Sequence, residues 1–442
     1  MSKIHDLSHV APLAEFDIFS VPSTQYSIER DLVTEHTPVN TLSMGSCIDF
    51  RFVTNEDEYV KLKESLLHVK MRVKISKKNG KNVGDADWTH VDPVANLLHS
   101  MFKQVDLVIN STSVIATPQN YGYRAFFDAF CGFSDSAKRS FLMAAGGPIS
   151  SSKDMFAPKP PAPKDGSGRV VELMGILHID LALQHEALLG QLEYKFQFTP
   201  QSPDFFLKVT NTNIVPSVEL LDMTLHIHRA RVTTPILEAH NLALNAAPAK
   251  YPFTRSEVRK TQLSGGIRDA VIDNFVPGQL PRWAILALVD NNAYNGELQL
   301  NPFDFQHFDI SHVAFYLDGT QYPSRPYNPN FSDGSYIREY LGLYQTLNQI
   351  TPDPSFILTP EEYGKGSTLF GVNFAPDLSD GCGIIGHLNP VRRGSLRIEI
   401  KFRKPLPKVV SVLLYCEFDN LIEINKERQV LPDFRYANTA TT

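Results

Sequence analysis

Four cysteines in 442 residues, Cys47, Cys131, Cys382 and Cys416, lie far apart and form no C-x-x-C pair. That excludes the spacing of a structural zinc site and the density of a disulfide framework, and fits a reducing folding environment. No apolar run reaches the roughly 18–20 residues that cross a bilayer. The opening MSKIHDLSHVAPLAEFD carries acids where a signal peptide has an apolar core. The sequons at Asn110 and Asn330 would matter only in a secreted chain and are read as chance. Basic excess is missing as well: 42 Lys and Arg against 48 Asp and Glu leave a formal charge of −6, which argues against a surface made for nucleic acid. Only two tryptophans, Trp88 and Trp283, are present, few for the exposed platforms of a carbohydrate-binding module.

Enzyme signatures are also wanting. There is no G-x-S-x-G elbow, no H-E-x-x-H and no dinucleotide fingerprint, and GKGS at 364–367 lacks the frame of a phosphate loop. The constellation that carries some chemistry is His226-Ile227-His228. A period of two puts both imidazoles on one face of a strand, where they could chelate a metal, as in a bicupin-type metal-dependent enzyme, with His178 as a third ligand from a neighbouring strand. Against it, the matching strand later in the chain offers Phe418 and Asn420, and the nearest downstream carboxylate, Glu238, falls in a connecting helix. The favoured reading is polar residues on the solvent side of a strand.

Other features read as structure. Lys74, Lys77, Lys78 and Lys81 mark a solvated turn, and Arg392-Arg393 a loop or interface pair. Phe126, Phe127 and Phe130 follow helical spacing and are expected in a core. Asp290-Asn291-Asn292 lacks the regular oxygen ligands of a calcium loop. Trp283, in WAILALV, is expected in the core. No catalytic, cofactor-binding or metal residue is therefore expected, and no cofactor.

What is present is a globular composition, 43% hydrophobic and 20% charged, and a strong period of two. GQLEYKFQF at 190–198 alternates Leu192, Tyr194, Phe196 and Phe198 with Glu193, Lys195 and Gln197, and GSLRIEIKF at 394–402 repeats the pattern. Four further features recur in the same order, about 200 residues later. These are a hairpin (QVDLVINSTSVI, 104–115; HVAFYLDGTQYP, 312–323), an aromatic helix (YGYRAFFDAF, 121–130; SYIREYLGLY, 335–344), a strand (173–181; 369–378) and a closing strand (218–228; 408–418). This is a tandem duplication.

In the first copy strands are expected near 49–53, 66–75, 105–109, 113–115, 173–181, 192–198, 205–209 and 220–227. Eight strands per copy with short helices between them predict an all-β chain of two tandem eight-stranded jelly-roll sandwiches, a double jelly-roll. The expected organisation is an N-terminal arm over 1–24 and a first jelly-roll over 25–232 with a loop insertion at 144–169. A linker helix over 233–252, stopped by Pro248 and Pro252, then leads to a second jelly-roll over 253–418 and a C-terminal tail over 419–442. The 144–169 loop, rich in Pro, Ser and Gly, is expected as an outward tower, and the arm and tail are candidates for gripping neighbours.

Several long phrases resemble one family. GQLPRWAILALVDNNAYNG (278–296), NPFDFQHFDISHVAFYLDGTQYP (301–323), LYCEFDNLIEINKERQV (414–430), VDPVANLLHSMFKQVDLVIN (91–110) and YGYRAFF (121–127) resemble the major capsid, or hexon, proteins of Maverick/Polinton-type elements, adintoviruses and adomaviruses. The likeness spans most of the chain between about residues 45 and 430. It implies a structural protein without catalytic residues that forms pseudo-hexagonal homotrimers tiling an icosahedral capsid. Implied partners are copies of itself, neighbouring capsomers, and penton and minor capsid proteins. The shell would enclose a DNA genome without strong specific binding and without membrane insertion. The implied location is the virion, after synthesis in the host cytosol, with nuclear assembly left open. Side-to-side contact through sandwich flanks and the Trp88 segment DADWTHVDP is expected to supply the subunit interfaces.

Overall fold

The computed structural model describes Leu7 and residues 14–78, 83–115, 119–146, 168–352, 354, 356–379 and 387–433. Strands with alternate buried positions build two units. The first contains β1 (Ile28–His36), β2 (Ile48–Val53), β3 (Glu58–Lys77), β4 (Phe102–Ile109), β5 (Thr112–Ser113), β6 (Arg169–Ile176), β7 (Glu193–Pro200) and β8 (Ile214–Val232). The second contains β9 (Ala249–Leu263), β10 (Asp269–Ile272), β11 (Trp283–Asp290), β12 (Ile310–Leu317), β13 (Thr320–Tyr327), β14 (Leu369–Asn373), β15 (Leu396–Phe402) and β16 (Val410–Ile424).

The first unit pairs its strands antiparallel in the orders β1-β8-β3-β6 and β2-β7-β4-β5, and the second in the orders β9-β16-β11-β14 and β10-β15-β12-β13. Adding eight to each label of the first unit gives the second, so the duplication read from sequence is present strand for strand. Each unit is a jelly-roll, and the chain is an all-β double jelly-roll. The two alternating phrases become β7 and β15, which hold the same interior place in their sheets. Phe196 on β7 faces Phe50 on β2 and Leu107 on β4. Ile398 on β15 faces Ile272 on β10 and Phe315 on β12.

Both hairpins turn as their sequences require. Asn110 and Ser111 have φ of 44° and 66°, and Asp318 and Gly319 have 49° and 81°. Two successive positive φ values match the strand twist, and Asn, Asp and Gly tolerate them best. In the first unit the aromatic rows of β2 and β7 (Phe50, Phe52, Phe196, Phe198) share one core with Val69 and Met71 of β3 and Leu225 and Ile227 of β8. The second unit has its own inner core around Leu286, Phe315, Ile398 and Leu414.

Several expectations need correction. β1, IERDLVTEH, was not among the expected strands because an exposed edge strand carries charge where a core strand carries apolar residues. The expected strand at 205–209 begins as a helical turn, Pro203–Phe206, capped by the Ser202 hydroxyl, and only Leu207–Val209 is extended. The linker helix ends at Leu244, and Pro252 lies inside β9, which among the described residues is an edge strand, where a residue without an N–H is tolerated. Part of the expected tail is sheet, since β16 runs to Ile424 and Val430–Pro432 pairs beside it. The Trp88 side chain is only 7% exposed, under the Arg169 guanidinium at 4.7 Å, so the ring is spent in the core of the first unit. Residues 147–167, most of the proposed tower, lie outside the described residues, as do Lys81 and Cys382.

Candidate functional site

The two units meet at a seam built around helix α1 (Tyr121–Gly132). Its residues from Tyr121 to Cys131 are all buried, so the helix is enclosed on every side, its aromatics by apolar partners and its charged Arg124 and Asp128 by ion pairs. One side packs within the first unit, where Tyr121 contacts His99. The other side enters the second. Phe126 stacks on Phe303 at 4.7 Å, Phe127 contacts Phe305 and Tyr415, each at 5.3 Å, Phe130 meets Phe356 edge-on at 5.1 Å, and Tyr123 stacks on Tyr294 at 5.5 Å. The expectation that Phe126, Phe127 and Phe130 are core residues holds, and the core they join lies between the units.

Polar groups stitch the same seam. Asn120 donates from Nδ2 to the Val258 carbonyl of β9 at 3.1 Å. Arg124 pairs with Asp180 at 2.7 Å, and Asp180 also accepts from the Ser256 amide at 3.0 Å. The Tyr415 hydroxyl lies 2.7 Å from Asp128 Oδ1, 2.8 Å from Glu417 Oε1 and 3.2 Å from the Ser256 hydroxyl. Arg282 holds Glu417 at 2.8 Å and Asp419 at 3.2 Å.

Burial pushes the Glu417 carboxyl up to about 7 against the pull of Arg282, and pushes the Tyr415 phenol well above its ordinary value. For Asp128 burial acts upward too, but His178, Arg124 and the Tyr415 hydroxyl together hold it below the ordinary carboxylate range. A cleft of about 1070 Å³ opens beside this network, with Phe133, Phe141, Pro252, Trp283, Tyr415 and Glu417 among its lining residues.

This arrangement suits locking two bodies together better than catalysis. The buried thiols of Cys131 and Cys416 are pushed up by desolvation, Cys416 to about 12, which is opposite to an activated nucleophile. Nearly every charge at the seam is spent on another charge. Trp283 is buried against Tyr415, as its apolar strand suggested.

The structure separates the proposed metal ligands. His226 and His228 stand on the outward face of β8, His226 beside His68 and 3.8 Å from Glu35, and His228 against Glu64. His178 is buried elsewhere, its ring 4.6 Å from His99 and its Nδ1 3.5 Å from Asp128. Among the described residues no group of three or more His, Cys, Asp or Glu could hold a metal ion. Lys74 and Lys77 are paired with Glu219 and Asp87. Arg392 donates to the Phe374 carbonyl. Asp290 caps the short helix Asn291–Asn295 by accepting from the Asn292 amide, which explains that polar run without a cation.

Sequence reasoning named the helix but missed the seam partners Asp128, Asp180, Tyr415 and Glu417. A charged pair four residues apart, Arg124 and Asp128, within an otherwise aromatic helix was the available signal.

No family model matches the chain. A curated relative is an uncharacterized protein of Caenorhabditis elegans, 25% identical over 433 residues and spanning 93% of this chain and 99% of that one. Among solved structures, a chain of the Sputnik virophage aligns with 100% of this chain and 97% of its own at a TM-score of 0.63 and 10% identity. The Faustovirus major capsid protein gives 0.58 at 9% identity over 94% and 92% of the two chains. The mavirus major capsid protein gives 0.55 at 9% over 100% and 99%. At such identities the likeness shows the fold, and that fold is the double jelly-roll of viral major capsid proteins.

Proposed function

We propose that this chain is a major capsid protein whose homotrimers form pseudo-hexagonal capsomers of an icosahedral shell. The observation that carries the reading is the whole-chain match to double jelly-roll capsid proteins, with both sandwiches aligned end to end and neither chain leaving a large remainder. Two equivalent wedges per chain give six in a trimer. Such a tile works through its sides, and the seam within the chain is the kind of contact that a side between chains would repeat. Subunit interfaces of obligate size, about 2,000 Å² or more, would hold the trimer, and weaker polar contacts would join it to neighbouring capsomers and to penton and minor capsid proteins.

The sequence phrases point further, to the capsid proteins of Maverick/Polinton-type elements, adintoviruses and adomaviruses. A full-length relative in a nematode agrees with such an element carried in an animal genome. The proposed location is the virion, and the net charge of −6 fits a shell that encloses DNA without condensing it.

Size-exclusion chromatography with light scattering on the purified chain, followed by negative-stain imaging, tests the reading. A mass of three chains with hexagonal outlines is expected. A well-folded protein that stays monomeric at micromolar concentration would overturn the trimer.

A further inference from the structure

The duplication leaves one half of an interface open. Helix α2 (Thr234–Leu244) links the units, and helix α3 (Ile337–Thr346) lies between β13 and β14, the place that α1 holds between β5 and β6. The repeated phrases set Tyr123 against Ile337, Arg124 against Arg338 and Phe127 against Leu341. In α1, Tyr123 and Phe127 are two of the four aromatics that reach into the second unit, and they are 2% and 0% exposed. Their counterparts Ile337 and Leu341 are 50% and 45% exposed, although Leu343 on the other side of α3 is fully buried.

The receiving surface is duplicated as well. α1 lies on β9 and β16, through the Val258 carbonyl and Tyr415. The equivalent strands of the first unit are β1 and β8, neighbours at the edge of their sheet. Their outward face is exposed on the β1 side, while His226 and His228 on β8 keep 20% and 17% of their side-chain surface. Val33 is 58% exposed and is paired in register with His228, while Glu35 is paired with His226.

We infer that the Ile337 and Leu341 face of α3 docks on the outward β1 and β8 face of a second copy of this chain, repeating between chains the contact that α1 makes within one. The inference rests on the proposed trimer and adds the surfaces that form it. Charge supports the pairing: exposed Arg338, whose guanidinium donates to the Pro326 and Arg325 carbonyls, follows Ile337 on α3, and Glu35 and Glu64 line the receiving face beside His226 and His228. Applied three times, one such head-to-tail contact closes a ring of six units. It also gives the paired histidines of β8 a structural place at a subunit boundary.

Two variants test this in the full chain. Leu341→Asp is expected to raise the concentration at which the trimer half-dissociates by about tenfold or more, while circular dichroism stays unchanged because the residue is half-exposed. Val33→Cys with Leu341→Cys is expected to form a disulfide-linked product on a non-reducing gel that neither single variant gives. If the parent is trimeric yet Leu341→Asp leaves it so and the double-cysteine chain does not link, this interface is wrong and the capsid reading stands. A parent that is monomeric overturns both.

Discussion

The Tyr415 hydroxyl of the second unit lies 2.7 Å from Asp128 Oδ1 of the first and 2.8 Å from Glu417 Oε1. A hydroxyl has one proton to donate, so it satisfies two carboxylates only if one of them is itself protonated. Glu417, raised to about 7, is the one that takes up a proton as the pH falls below that value. In that state Glu417 can donate to Tyr415 and Tyr415 to the ionised Asp128, a chain of two hydrogen bonds that crosses the seam; above it Tyr415 donates to one carboxylate at a time.

Removing the hydroxyl breaks both links. Tyr415→Phe is expected to cost about 1–3 kcal/mol, because it leaves buried carboxyl groups short of a partner. Combined with Asp128→Asn in a double-mutant cycle, measured by denaturant unfolding, the two changes should be non-additive. Additive costs would mean that the two residues do not act together.

The same chain makes stability depend on pH in a defined direction. The Glu417 carboxyl has an ordinary value of 4.5 and is raised to about 7 in the fold, so between those values the native state holds a proton that the unfolded state releases. Its contribution is complete below 4.5 and is lost as pH rises through 7. Its size is at most about 3 kcal/mol, and less in practice, since the side chain is 16% exposed to the cleft. Glu417→Gln keeps a neutral group there and is expected to flatten the fall in unfolding free energy between pH 5 and pH 8. Parallel slopes for parent and variant would count against a protonated Glu417.

At the apolar part of the seam, Phe127 is fully buried between Phe305 and Tyr415. Phe127→Ala is expected to cost about 3–5 kcal/mol through lost transfer energy and the cavity left behind. Leu341→Ala on the half-exposed counterpart should change the unfolding of an isolated chain by about 0.5 kcal/mol or less. Thermal unfolding of the two variants side by side reads the asymmetry directly.

Much of this fold was legible because its period is two and its halves repeat. GQLEYKFQF and GSLRIEIKF announced β7 and β15, and Asp318-Gly319 announced its hairpin, since those residues tolerate the backbone that the turn needs. What stayed hidden depends on contacts distant in sequence. β1, with charge at many of its positions, is not recognisable as a strand until β8 is beside it. His226 and His228 read best as polar residues on the solvent side of a strand, but which carboxylates stand opposite them, Glu35 and Glu64, spacing along one strand could not say. The seam was hidden for the same reason: Asp128 and Tyr415 are separated by more than half the chain, and their pairing follows from how the second copy sits on the first.

The phrase that begins β7 carries a last prediction in its first residue. A Cβ on Gly190 would lie 2.3 Å from the carbonyl oxygens of Asn55 and of Glu56, backbone atoms of the turn between β2 and β3. These cannot swing aside as a side chain would, because the Asn55 carbonyl also accepts from the Glu58 and Gln191 amides. Gly190→Ala must therefore displace the β2–β3 turn from β7, and a loss of about 2 kcal/mol or more is expected, in the range of backbone strain and overpacking. Gly132, the last residue of α1, has nothing among the described residues within 4 Å of the position a Cβ would take. Gly132→Ala should be neutral or stabilise by about 0.4–1 kcal/mol, because the added methyl restricts the unfolded chain without meeting anything in the folded one. Equal effects of the two substitutions in thermal unfolding would show that the close approach at Gly190 does not set the register of the first unit.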